Sequence, residues 1–206
     1  KAKNLITESQ KPTILLLLAS VDEVACPYPV DRVLFEHRLV PLIIKYLSVQ
    51  GCNILVKLHP RSDCQLNNRK YHGNAYKDFV TLLSSISEEN PSVHLYLPKS
   101  EESSYDLMAV SDIAISLFSI AAIEAQALGT PAIVHSRCRG SSFSSANINS
   151  LDVNCALSQF QEIFRTLVNK SSDPIYRRES AKQARIFLTQ IYSKNEINLP
   201  GFRDFL

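Results

Sequence analysis

Ile113–His135, IAISLFSIAAIEAQALGTPAIVH, sets the architecture. Four residues, Ile113–Ser116, form a short apolar run suited to a strand buried on both faces. Ala121–Leu128 then reads as a helix stopped by Gly129, and Ala132–His135 as a further strand after Pro131. A strand, a short helix and a second strand in so few residues make a βαβ crossover, which requires parallel strands.

The same alternation runs through the preceding residues. Thr13–Ala19, TILLLLA, is an apolar run behind Pro12 and reads as the first parallel strand. Asp31 is expected to N-cap a helix carrying Leu34, Leu39, Ile43, Ile44 and Leu47 and ending before Gly51, with Pro41 kinking it or splitting it in two. Asn53–Leu58 reads as a strand, Tyr76–Glu89 as a helix closed by Asn90-Pro91, Val93–Leu97 as a strand, and Tyr105–Val110 as a short helix behind a Ser103 or Ser104 cap. The fold class expected is α/β: a Rossmann-like parallel sheet with helices on both faces.

Beyond Arg137, RCRGSSFSSANINS has no periodicity and reads as a loop. Two helices should follow, Ala156–Val168 and Pro174 to Ser193, the second with Asp173 as cap and Pro174 in its first position. The tail EINLPGFRDFL places Leu199, Phe202, Phe205 and Leu206 on a polar end and reads as a docking segment. The expected organisation is one domain over residues 1–206, with a core at about 12–136 and C-terminal helices and tail at 156–206.

Composition narrows the function. The chain has 206 residues, 45% hydrophobic and 20% charged, the profile of a folded soluble domain. Its net charge of +2, from 22 basic and 20 acidic residues, argues against nucleic acid as a partner. No run approaches the length of a transmembrane segment and no signal peptide is evident, so the expected location is cytoplasmic or peripheral to the inner face of the membrane. The first residue is not Met, which suggests a processed chain or an excised domain. The five cysteines lack metal-like spacing and their odd number fits reduced thiols. No cofactor, metal or Gly-rich phosphate loop is expected.

Ligands of open parallel sheets bind at the carboxyl ends of the strands. Three such ends stand out: Lys57-Leu58-His59-Pro60-Arg61, the turn Leu97-Pro98-Lys99-Ser100, and Ser116-Leu117-Phe118-Ser119 ahead of the helix bearing Glu124. Lys57, His59 and Arg61 alternate and could together hold a phosphate; alternatively Lys57 and Arg61 are solvated and His59 binds backbone. Ser119 at a helix entry suits a phosphate and Glu124 a ribose; the plain alternative is a Ser N-cap and a solvated Glu.

VKLHPRSD followed by AVSDIAISLFSIAAIEAQALGTPAIV resembles the donor-binding, C-terminal domain of GT-B-fold glycosyltransferases, in particular bacterial surface-polysaccharide enzymes using CMP-activated sugars of the Kdo or sialic acid type. The resemblance spans residues 12–136. It implies that His59, beside Pro60, contacts and stabilises the leaving phosphate, that Ser119 serves the same phosphate, and that Glu124 holds the ribose. Lys57, Arg61 and Ser116 complete the expected donor-binding set. Ile120 stands where many CMP-sugar enzymes have a second hydroxyl, and Ala122 where Gly is common.

The function so implied is transfer of a sugar from a nucleotide-sugar, CMP-linked by preference and UDP-linked otherwise, to a glycan or glycolipid acceptor hydroxyl in polysaccharide biosynthesis. The general base would come from a missing N-terminal domain, leaving this chain inactive alone. Two other readings stay open: a non-catalytic nucleotide-binding or interaction domain, and a non-hydrolysing UDP-sugar epimerase-like domain.

Overall fold

The computed structural model describes residues 11–18, 29–59, 73–117, 120–136, 149–152 and 157–195. The chain divides into two compact units, Lys1–Leu107 and Met108–Leu206.

In the first unit, β1 (Thr13–Leu17), α1 (Pro29–Val49), β2 (Asn53–Lys57), α2 (Gly73–Glu89) and β3 (Val93–Tyr96) follow one another, and α3 (Ser104–Ala109) contains the division after Leu107. The strands are ordered β3-β2-β1. Both pairings are parallel, Leu15 opposite Leu55 and Val56 opposite Leu95. Successive strand residues point to opposite faces, yet all five residues of β1 are buried, so both of its faces are covered. Helix α1 packs on β2 and α2 on β3. They contribute Val40, Ile43, Ile44 and Leu47 from α1 and Phe79 and Leu83 from α2, all at most 3% exposed.

One expectation about α1 is corrected: the helix begins at Pro29, not behind Asp31, because the fixed φ of proline suits the first helical turn. Of the two effects expected at Pro41, the split does not occur, and the helix is continuous through it. An internal proline costs about 3 kcal/mol, and burial of the four apolar side chains around it offsets that cost. Its exit follows expectation: Gly51 has φ +74°, the left-handed conformation glycine adopts most readily. Helix α2 starts three residues earlier than the Tyr76 expected, at Gly73.

The short helix α3 has the anticipated cap, supplied by Ser103. Its Oγ accepts from Asp106 N–H at 3.1 Å while the Asp106 carboxylate accepts from Ser103 N–H at 2.9 Å and from its hydroxyl at 2.6 Å. These bonds from Ser103 hold the Asp106 carboxyl below its ordinary range.

The second unit contains β4 (Ile113–Leu117), α4 (Ala121–Ala127), β5 (Ala132–Ser136), β6 (Asn149–Asp152), α5 (Leu157–Ser171) and α6 (Pro174–Asn195). Its strands are ordered β4-β5-β6 and are again parallel, with Ile115 opposite Ile133 and His135 opposite Leu151. Strand β6 corrects the loop reading of this stretch: Asn149 and Ser150, which ended the aperiodic segment, pair with β5. Backbone hydrogen bonds need no hydrophobic pattern, so nothing local announced it. Residues 137–148 and the tail from residue 196 lie outside the described residues.

Helix α4 packs on β4, β5 and α6. Small buried residues, Ala122 and Ala125 on α4 and Ala181 and Ala184 on α6, line these helices. Phe160 and Phe164, stacked at 6.0 Å between ring centroids, fill the core from α5. Asp173 caps α6 by accepting from Ile175 N–H at 2.8 Å, as expected. No described helix is long and apolar enough to cross a membrane.

Candidate functional site

The candidate residues fall into two groups, one in each unit. In the first, β2 ends at Lys57, and the ladder continues one residue further: Leu58 N–H donates to Tyr96 O at 3.0 Å. His59 follows, half-buried, directly beyond the carboxyl end of β2. Pro60 and Arg61 lie outside the described residues.

Lys57 is neither solvated nor presented outward. The residue is 4% exposed, and its Nζ donates to Leu97 O at 3.2 Å, Ser100 Oγ at 2.6 Å and Glu102 O at 3.0 Å. An ammonium has three protons, and each has a protein acceptor here. Burial lowers its pKa from the ordinary 10.5, and the Glu102 carboxylate opposes that shift. Burial, reinforced by Glu102, raises that of the Tyr96 phenol. Lys57 therefore fastens the turn after β3 to the end of β2. The Leu97–Ser100 turn, singled out as a strand end, receives this lysine; Glu102 carried no sequence signal for that role.

In the second unit, Ser116 is wholly buried in β4 and belongs to the packed strand, so its hydroxyl is not on the surface. Ser119 lies outside the described residues. Helix α4 is entered at Ile120, with φ −60° and ψ −17°, whose own side chain offers no cap; the Ser119 N-cap alternative lies, with Ser119 itself, outside the described residues. Glu124 stands half-exposed in the first turn, where the helix dipole favours an acid.

The far end of α4 is heavily tied. Gly129, at φ +93°, turns the chain out of the helix. Arg177 Nε donates to Gly129 O at 2.7 Å and Arg185 Nε to Ala127 O at 2.8 Å. Thr130 Oγ1 donates to Met108 O at 2.7 Å, fixing the turn before β5. None of these arginines was singled out from the sequence. Among the described residues no group of three or more His, Cys, Asp or Glu is placed to hold a metal ion.

No protein-family model and no curated protein matches the chain. Solved structures do. A glycosyltransferase from Rickettsia africae is similar over 96% of this chain and 51% of its own, at 15% identity and a TM-score of 0.56. The UDP-GlcNAc 2-epimerase of Methanocaldococcus jannaschii, in complex with UDP-GlcNAc and UDP, is similar over 92% and 48%, at 14% identity and a TM-score of 0.54. That of Neisseria meningitidis, bound to UDP-GlcNAc, is similar over 93% and 46%, at 18% identity and a TM-score of 0.52. The chain spans about half the length of each. At such identities the likeness speaks for the backbone, and with the parallel registers it establishes that this chain has the Rossmann-like α/β fold seen in these three structures.

Proposed function

We propose that this chain is the nucleotide-sugar-binding half of a GT-B-type glycosyltransferase, completed by an N-terminal domain that brings the acceptor and the general base. The observation that carries the reading is the placement of His59 just beyond the carboxyl end of β2, and of Glu124 in the first turn of the helix after β4. Those are the positions where open parallel sheets present ligand-binding groups. The likeness to a glycosyltransferase over 96% of the chain supports it.

In this reading His59 serves the donor phosphate, on which negative charge grows as the sugar–oxygen bond breaks, and stabilises that charge in the transition state. Ser119 and Arg61 serve the same phosphate, and Glu124 accepts from the ribose hydroxyls. Lys57 acts at one remove: with its protons directed to Leu97, Ser100 and Glu102, it holds the strand end that carries His59. Ser116, buried in β4, contributes to the rigidity of the sheet. No metal or cofactor is assigned to the reaction.

The nucleotide is proposed to be UDP. The CMP preference inferred from sequence finds no support among the similar structures, whereas two of them contain UDP-GlcNAc. The same two enzymes favour a second reading, a UDP-sugar 2-epimerase.

Calorimetric titration of the chain with UDP, CDP and CMP tests the assignment, with His59→Ala and Glu124→Ala beside the parent. Selective UDP binding, weakened about tenfold or more in each variant, is expected from the loss of charge-assisted contacts. Selective CMP binding would restore the CMP-sugar reading, and no nucleotide binding, even with the N-terminal domain supplied, would overturn the donor site. Conversion of UDP-GlcNAc by the full-length protein without acceptor would establish the epimerase.

A further inference from the structure

The second unit contains a cavity of about 540 Å³ where α6 crosses the C-terminal end of α4. Its lining is Leu128, Gly129, Ala181 and Ile186 with four cations, Arg177, Arg178, Lys182 and Arg185. Every polar side-chain atom on it is a donor: no carboxylate, amide or hydroxyl is among the lining residues. Such a lining is strongly positive despite the helix-end carbonyls of Ala127 and Gly129, which Arg185 and Arg177 already bind. It suits an oxyanion.

Two of the cations are held in place. Arg177 and Arg185 are eight residues apart on α6, about 12 Å of helix rise. Their Nε atoms nevertheless bind carbonyls only two residues apart, Gly129 O and Ala127 O. The guanidinia therefore converge on one helix end, each with its terminal nitrogens still able to donate. Capping of α4 explains this pair, since cations stabilise helix C-termini. It does not explain Arg178 and Lys182, on the neighbouring stripe of α6. Among the described residues the ion pair recorded for these four is Arg178 with Glu179, at 3.8 Å and with both side chains largely exposed, an arrangement that contributes little.

We propose that this cavity is an anion site for a ligand bearing two phosphoryl groups, at the C-terminal end of α4, about one turn beyond Glu124. Two converging guanidinia offer the planar, bidentate geometry that phosphate oxygens accept best, and Arg178 and Lys182 match the charge of a diphosphate. The floor of Gly129 and Ala181 leaves room for the oxyanion, and Leu128 and Ile186 provide an apolar wall for the group that carries it. A soluble diphosphate and a lipid headgroup share this chemistry.

The test is calorimetric titration of the 206-residue chain with inorganic pyrophosphate at low and moderate salt, in a His59→Ala background that weakens the proposed donor site. The double variant Arg178→Gln/Lys182→Gln, which leaves both helix-capping arginines intact, is expected to bind about tenfold or more weakly. Arg177→Lys keeps the charge but loses the fork and should weaken binding as well, whereas Lys77→Gln, on α2, should match the parent. Sedimentation with phosphatidic acid vesicles, against phosphatidylcholine vesicles, distinguishes the source. Binding to the vesicles alone, lost in the double variant, would identify a lipid headgroup. No saturable binding to either probe, or equal binding by the double variant and Lys77→Gln, would overturn the proposal.

Discussion

The two units use their basic side chains in opposite ways. In the first, Lys57 is buried and its three protons are all absorbed by Leu97, Ser100 and Glu102. In the second, Arg177 and Arg185 each commit one nitrogen to the end of α4 and keep the rest of the fork beside a cavity. The difference follows from shape and burial. A compact ammonium under cover must be matched completely, because an unmatched buried charge is costly; a guanidinium has five donors and can be anchored and still recognise something else. Proximity to a strand end does not make a cation a ligand-binding group: Lys57 supports the place where His59 stands.

The sharpest way to break this contrast is Lys57→Met, which keeps the packed stem and removes the ammonium. A loss of about 2 to 3 kcal/mol in urea unfolding is expected, because three acceptors lose their donor. The pH profile should change too. Since the lysine pKa is lowered below 10.5 in the folded state, the unfolded chain binds more protons between the lowered value and 10.5. This group's contribution to stability therefore rises with pH across that window, and Lys57→Met should flatten the rise. An unchanged stability and profile would make the lysine a spectator.

A smaller effect compares the two helix exits. Gly51→Ala and Gly129→Ala each place a Cβ at positive φ, +74° and +93°, with nothing within 4 Å of the added atom. Only backbone strain is at stake, so each should cost about 1 kcal/mol. A much larger loss at Gly129 would show that the arginine ties on α4 depend on that turn.

The smallest effect is expected at Ser103→Ala, about 1 kcal/mol or less at neutral pH from loss of a solvent-exposed cap on a six-residue helix. Because the Asp106 pKa is held below 3.8, the stability it brings is present above that pH and lost as pH falls through the lower, folded value. The variant should lose this acid sensitivity, as read from unfolding between neutral and strongly acidic pH.

The amino-acid sequence by itself determined the order and type of nearly every described element, the exits at Gly51 and Gly129, and the caps at Ser103 and Asp173. These signals act within a few residues: side-chain period, cap hydrogen bonds at a separation of two or three, and the conformational freedom of glycine. It also indicated the strand end beyond which His59 stands and the helix that carries Glu124. Tertiary structure alone decided what the charges do. The partners of Lys57 lie 40 to 45 residues along the chain, and those of Arg177 and Arg185 lie 48 and 58 residues away. The same holds for β6, whose pairing rests on backbone groups common to all residues, and for α1, where the packing of Val40, Ile43, Ile44 and Leu47 overrides Pro41. Local pattern specifies elements because its interactions close within a turn or a strand pair; the fate of a long charged side chain depends on acceptors that only folding brings within 3 Å or so.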